Sequence, residues 1–285
     1  MSIEQVAALR APIVWTLHDM WPFSGTQHYS DGTTSLGWDS LTRWRKLIFW
    51  RRSFTVVAPS NWIANLARES CVFRHADIHV IPNPVPMENF FPVDSVSSRM
   101  TLGLPTRAAI VGFVSHMGTQ NGLKGYAELV QAMQTVRSQI PESLLLVIGK
   151  TNQGLDSSPG WISGTGWIKD DALMRSAYGA CDVVVVPSKQ DNAPQSVSEA
   201  AACGRPVVAF EVGGVGEMIL HEKTGLLVPR GNIAGLAAAI TQALNGPVAL
   251  RKWGAAARQL ADDRWHPSVI GQKYLDLYNR TLDRR

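Results

Sequence analysis

The chain has 285 residues, 45% hydrophobic and 18% charged, enough to bury one large or two medium cores, and its net charge of +4 is too small at this length to argue for nucleic acid. Its longest apolar runs (108–114, 144–148 and 183–186) fall far short of the roughly 20 residues that cross a bilayer, and Glu4 and Arg10 flank a weak apolar N-terminus unlike a signal peptide, so a cytoplasmic protein is expected. Cys71, Cys181 and Cys203 are widely spaced in apolar or helical sequence, which suits reduced buried thiols and excludes a zinc spacing.

In chain order, "APIVWTL" (11–17) reads as a strand, followed by a polar and aromatic loop and by the helical "LTRWRKLIFWRRS" (41–53). Next come a strand in "FTVVAPS" (54–60), a helix in "NWIANLARES" (61–70) and a strand in "DIHVIPN" (77–83). Residues 82–92 then carry four prolines, which continue neither a helix nor a central strand, and read as a linker. Beyond it the strands "AAIVGFV", "SLLLVIG", "DVVVVP" and "PVVAF" alternate with the helices "YAELVQAMQTVRSQI", "DDALMRSAYGAC", "PQSVSEAAAC" and "IAGLAAAITQAL". Continuous apolar strands separated by amphipathic helices specify an α/β, doubly wound parallel sheet covered on both faces. The expected organisation is a first α/β domain over 1–90, a second over 91–265, and a C-terminal helix over 266–285. Ile270, Tyr274, Leu277 and Tyr278 in that helix have the spacing to pack back toward the first domain.

Asp191 and Glu199 stand eight positions apart in "VVVVPSKQDNAPQSVSEAAACGRPVVAF" (183–210). Pro194 suits the first position of a helix and Gly204 its end, so Asp191 lies in the loop at the carboxyl end of a strand and Glu199 on the following helix. Ligands of open α/β sheets bind in that crevice, and the free N–H groups of a helix start attract phosphate. Carboxylates beside a phosphate serve by accepting hydrogen bonds from neighbouring hydroxyls, and two acids bracketing an anion site fit a nucleotide sugar. Taken singly, Asp191 also reads as a turn or capping residue and Glu199 as a solvated helix position, and a glycosidase acid and base pair is the sharper rival.

The run "PSKQDNAPQSVSEAAACGRPVVAFEVGGVGEMILHEKTGLLVP" resembles the core signature of the retaining GT-B glycosyltransferases of family 4, the group 1 enzymes. "PIVWTLHDMWPFSGTQHYS" is similar to their colanic-acid and exopolysaccharide subgroup, and the likeness extends over nearly all of residues 11–280. It implies a GT-B fold of two doubly wound Rossmann-like domains and a metal-independent hexosyltransferase without a cofactor. A nucleoside-diphosphate sugar is the implied donor and a polysaccharide or lipid-linked glycan the acceptor. On the matching positions Glu199 becomes the ribose ligand and Asp191 the sugar ligand, one methylene shorter than the family's glutamate. Asn192, Ala193 and Pro194 complete that donor-binding loop. Lys124, in "GLKGY", matches the lysine that contacts the diphosphate, whereas Phe113 stands where the family's partner arginine is expected. His18, at the end of the first strand, matches a histidine that approaches the sugar, and Trp167 and Ile168 match a segment that passes the base. Gly213, Gly214 and Glu217 are expected to shape a turn near the donor pocket.

Without the resemblance, Lys124 reads as a solvated lysine and His18 as a structural histidine at a strand end. Residues 43–52 hold five basic residues with Trp44 and four large apolar neighbours, either a membrane-surface element or a helix with a core face and a solvated basic side. Compared with the family, the chain opens in what resembles the middle of the first domain, with roughly half of it missing and a shortened loop after "TQHYS". This leaves a second expectation from another class, a catalytically inactive nucleotide-sugar-binding remnant or accessory subunit. A third is another GT-B enzyme such as a nucleotide-sugar epimerase.

Overall fold

A computed structural model describes residues 2–29, 38–50, 54–115, 119, 121–150 and 159–283. The chain divides into two compact units, Met1–Asn83 with Ser268–Arg285, and Pro84–Pro267.

The first unit opens with α1 (Ile3–Ala7), started by a reciprocal pair of hydrogen bonds between Ser2 and Gln5. A parallel sheet follows, built from β1 (Val14–Thr16), β2 (Thr55–Ala58) and β3 (Asp77–Val80) in that spatial order. Helix α2 (Trp38–Phe49) connects β1 to β2, and α3 (Asn61–Glu69), capped by the Ser60 hydroxyl, connects β2 to β3. The core is aromatic: Trp15, Trp50, Phe54 and Phe73 meet with ring centroids 5.0–6.4 Å apart. The C-terminal helix, Pro267–Asp283, belongs to this unit, burying Ile270 and Leu277 with Val57 and Ile81. Its Tyr274 hydroxyl lies 3.1 Å from Thr16 Oγ1.

The basic run of α2 departs from the expected helix with a core face and a solvated basic side. Lys46 is fully buried and donates to the carbonyls of Trp21, Ser24 and Gly25, with its ammonium 4.0 Å from the Trp21 ring. Arg45 pairs with Glu4. Trp44 and Leu47, expected on a core face, are exposed together with Trp38, Leu41 and Phe49. The core is reached instead through the lysine stem and Trp50, whose indole N–H donates to the Ile3 carbonyl at 2.9 Å. Residues 51–53 and 30–37, which include part of this run and most of the shortened loop, lie outside the described residues.

The second unit begins with α4 (Ser95–Thr101), capped by Asp94. Its sheet contains β4 (Ile110–Val114), β5 (Leu144–Ile148), β6 (Ile162–Gly166), β7 (Val183–Val186), β8 (Val207–Glu211) and β9 (Gly225–Pro229). The strands are parallel in the order β6-β5-β4-β7-β8-β9. Helices α5 (Tyr126–Gln139), α6 (Asp171–Ala180), α7 (Gln195–Ala202), the short α8 (Val215–Met218), α9 (Ile233–Asn245) and α10 (Pro247–Trp265) complete it. The chain winds outward from β4 to β6, returns to β7 on the other side of β4, and so leaves a switch point between β4 and β7.

Burial explains which strands are continuous apolar runs: all four residues of β7 and four of five in β4 and β5 are buried. Gly112 in β4 is required by packing, since a Cβ there would lie 2.5 Å from Cys181 Sγ. The buried Arg99 guanidinium joins the Ala180 and Thr106 carbonyls to the Asp182 carboxylate, which also accepts from Ile110 N–H at 2.7 Å. Cys181 and Cys203 are buried, and burial pushes both thiols up to about 12. Cys71 corrects the expectation of three buried thiols: it follows α3 in a surface turn and is exposed. Among the described residues, no single helix is long and apolar enough to cross a membrane.

Candidate functional site

The site assembles at the carboxyl ends of β4, β5 and β6, beside the switch point. After β4 a single 3-10 turn, Gly122–Lys124, presents Lys124, and Gly125 starts α5 with φ 74°. Glycine is needed there for its dihedral angle and because a Cβ would lie 1.8 Å from the Pro187 carbonyl oxygen. The loop after β7 thus rests directly on the loop after β4. Lys189 N–H donates to the Leu123 carbonyl at 2.8 Å, and the Lys189 ammonium lies 2.7 Å from Glu128.

Across this junction Lys124 Nζ meets Asp191 Oδ2 at 2.6 Å. Asp191 is buried, and its carboxylate also accepts from the Ser188 hydroxyl at 3.1 Å and from Asn192 N–H at 3.1 Å. Its backbone is gripped by the glycine turn: the Asp191 carbonyl accepts from Gly214 N–H at 3.0 Å, and a Cβ at Gly213, φ 52°, would lie 2.1 Å from that oxygen. Asn192 is buried and Ala193 half-buried. Pro194 stands one position earlier than expected, as the cap residue with φ −65° and ψ 124°, and α7 begins at Gln195. Gly204, φ 67°, ends α7 as expected.

A cleft of about 320 Å³ opens beside these residues, lined by Ser115, Lys124, Gly149, Trp167, Ile168, Pro194, Gln195 and Glu199 among others. Glu199 is half-buried and accepts a 2.6 Å hydrogen bond from the Tyr178 hydroxyl on Oε2, while no bond to Oε1 occurs among the described residues. Burial raises the Glu199 carboxyl above its ordinary value, the Tyr178 hydroxyl draws it down, and Asp171 pushes it up. The Lys150 ammonium sits 5.6 Å from the Trp167 ring, which is partly exposed in the cleft wall.

Lys124, Glu199, Trp167, Ile168 and Pro194 therefore share one cleft. Asp191 lies behind it, bound to Lys124. Phe113, at the position of the expected arginine, points its ring into the core and packs against Tyr126. His18 belongs to the first unit, two residues past β1 in an exposed position. Two residues of the site, Ser115 lining the cleft and Tyr178 buried behind Glu199, escaped the sequence reading. Ser115 is buried with an unpartnered hydroxyl, and its only signal was its place just past a strand's carboxyl end. Tyr178 gave no signal, being one apolar position in a helix. Among the described residues, no three His, Cys, Asp or Glu side chains gather in a metal-holding group.

Such a cleft offers a cation, a helix start, a carboxylate with one open oxygen and an aromatic wall, which are the contacts a nucleoside diphosphate uses. The model for glycosyl transferases group 1 matches residues 108–246, and the model for glycosyltransferase family 4 matches residues 3–89. The chain belongs to the group 1, family 4 glycosyltransferases. D-inositol 3-phosphate glycosyltransferase of Segniliparus rotundus is 34% identical over 191 residues, 63% of this chain and 42% of that one. The protein of the same name from Rhodococcus jostii is 31% identical over 76% of this glycosyltransferase and 52% of its own length. The chain spans about half the length of the curated relatives it matches. Sucrose-phosphate synthase from Thermosynechococcus elongatus superposes with a TM-score of 0.83, 25% identity, over 99% of this chain and 70% of that one. Anabaena HepE, crystallised with UDP and glucose, gives 0.76 at 21% identity over 95% and 72%. The fold of this glycosyltransferase is GT-B.

Proposed function

We propose that this glycosyltransferase binds a nucleoside-diphosphate sugar in the second unit and transfers the hexose, with retention, to a polysaccharide or lipid-linked glycan. The observation that carries the proposal is the convergence of Lys124, the start of α7 and the open oxygen of Glu199 on one cleft at the switch point. In this reading the ribose hydroxyls donate to Glu199, and Lys124 with the first N–H groups of α7 takes the diphosphate. Trp167 and Ile168 flank the base. Fixed cations in place of a metal ion stabilise the charge that develops on the departing diphosphate, and retention follows from front-side delivery while it is held. Asp191 holds Lys124 in place, and its released carboxylate oxygen is the group for the sugar hydroxyls. The part of His18 in the transfer rests on the resemblance alone. The relatives named for sugar transfer, and HepE with its bound UDP and glucose, support the donor class.

Asp191, shorter than the family's glutamate and spent on Lys124, and Phe113 in the arginine's place favour a second reading, a nucleotide-sugar-binding module without catalysis. Under either reading the protein is cytoplasmic. The exposed Trp38, Leu41, Trp44, Leu47 and Phe49 of α2 support the reading of a membrane surface as its docking partner.

The test is a thermal-shift series with UDP, GDP, ADP and their sugar conjugates. One base series is expected to raise the melting temperature, and Glu199→Ala to abolish the rise. Turnover of the conjugate that binds then separates the enzyme from the inactive module. No shift with any nucleotide would refute both readings.

A further inference from the structure

Tyr178 is fully buried on α6, its ring held edge-on by Phe90 at 6.0 Å between centroids, and its hydroxyl has one partner, Glu199 Oε2 at 2.6 Å. We propose that Tyr178 is a positioning residue of the nucleotide site, occupying one Glu199 oxygen so that the other is aimed, ionised, at the ribose hydroxyls. The proposal rests on the reading of Glu199 as the ribose ligand.

Three features of the geometry support this. A glutamate side chain has three rotatable bonds, and a 2.6 Å bond to a wall that cannot move selects one of their combinations. A carboxylate accepting two ribose hydroxyls must be unprotonated, because a protonated oxygen donates. Burial works against that charge, and so does Asp171 at the start of α6. The other charged or titratable groups around this wall are Lys124 from the turn after β4, Lys169 and Asp170 before α6, Arg175 on α6, and, at the end of α7, the Cys203 thiol with Arg205 and with Arg258 of α10 near it. None of these makes an ion pair with Glu199. The Tyr178 hydroxyl is then the direct donor that favours the ionised form. Burial and the neighbouring carboxylate hold its own proton well above the ordinary phenol value, so it acts as a donor at every working pH.

Removing the hydroxyl should therefore do two things at once: loosen Glu199 and raise its carboxyl further. Nucleotide binding strengthens as pH rises through the Glu199 value, so the Tyr178→Phe curve should lie at higher pH.

The experiment compares calorimetric binding of UDP, GDP and ADP, each with its 2′,3′-dideoxy analogue, from pH 5 to 9. It uses the intact chain, Tyr178→Phe, Glu199→Gln and the double variant. For the diphosphate that binds, Tyr178→Phe is expected to weaken affinity about tenfold at pH 7 and to shift the pH curve upward. The dideoxy analogue should bind both proteins equally, and Tyr178→Phe should add nothing in the Glu199→Gln background. Equal loss for both ligands, or an unmoved pH curve, overturns the proposal and leaves the donor site standing. If the intact chain binds no diphosphate, the donor site and the role of Tyr178 fall together. Where Tyr178→Phe folds poorly, the pH curve of Glu199→Gln decides: a curve as steep as the intact chain's refutes the proposal.

Discussion

Two lysines, one in each unit, reach opposite ends from similar beginnings. Lys46 sits in a basic run and Lys124 before a glycine, and both invite the reading of a solvated charge. Lys46 is enclosed by three carbonyls and an indole ring with no carboxylate in contact, and desolvation lowers it from the ordinary lysine value to about 8. Lys124 keeps about a third of its side chain exposed in a cleft and is paired with a buried aspartate. The first charge is consumed in holding the loop that follows β1, and the second stays within reach of a ligand. What separates them is whether the groups around the ammonium are backbone acceptors, which any fold supplies, or an acid whose burial needs a cation.

The comparison breaks most readily at Lys46. Lys46→Met orphans three carbonyls and is expected to cost ~3 kcal/mol or more in urea unfolding. The sign with pH follows from the lowered value: between pH 8 and 10.5 the unfolded chain holds this proton and the folded chain does not, so the group makes stability rise with pH through that window. The intact chain should gain on Lys46→Met as pH climbs from 8 to 10.5, and parallel curves would place the ammonium in water. Lys124→Ala comes second, at about 2 kcal/mol, because it strands a buried carboxylate. Adding Asp191→Asn should recover most of that loss, and diphosphate affinity should stay at least tenfold down in both variants. Recovery of binding by the double variant would remove Lys124 from the anion site. The smallest effect belongs to Ser115→Ala. Deleting an unpartnered buried hydroxyl should raise stability by up to about 1 kcal/mol while weakening diphosphate binding a few-fold. A gain in stability with unchanged binding would make that hydroxyl a packing defect rather than a ligand contact.

The second unit was legible because its chemistry is local. β4, β5 and β7 are covered on both faces and so appear as uninterrupted apolar runs, and Gly204 and Pro194 mark the ends of α7 within a residue. β6 was missed: "ISGTG" carries two glycines and a threonine, and only its pairing with β5 makes it a strand. Helices α1, α4 and α10 were also unforeseen, the first two being a turn or two held by their caps. Within the site, Lys124 and Glu199 could be chosen by charge and place, whereas the partnership of Tyr178 with Glu199 spans 21 positions and two helices. Lys46 misled for the same reason, since its carbonyl partners lie 21 to 25 residues away. Cys71 was misplaced because the apolar residues around it pack from a turn that leaves the thiol outside.

The bond between Lys124 and Asp191 also decides what kind of event anion binding is. An arriving phosphate meets an ammonium that already has a counter-ion, supplied by the protein from the far side of the switch point. On the proposed reading of Lys124, binding is an exchange of one anion for another, in which the affinity measured is the difference between two pairings. In the proposed donor site the displaced carboxylate is delivered, freshly unpaired, beside whatever the phosphate carried in.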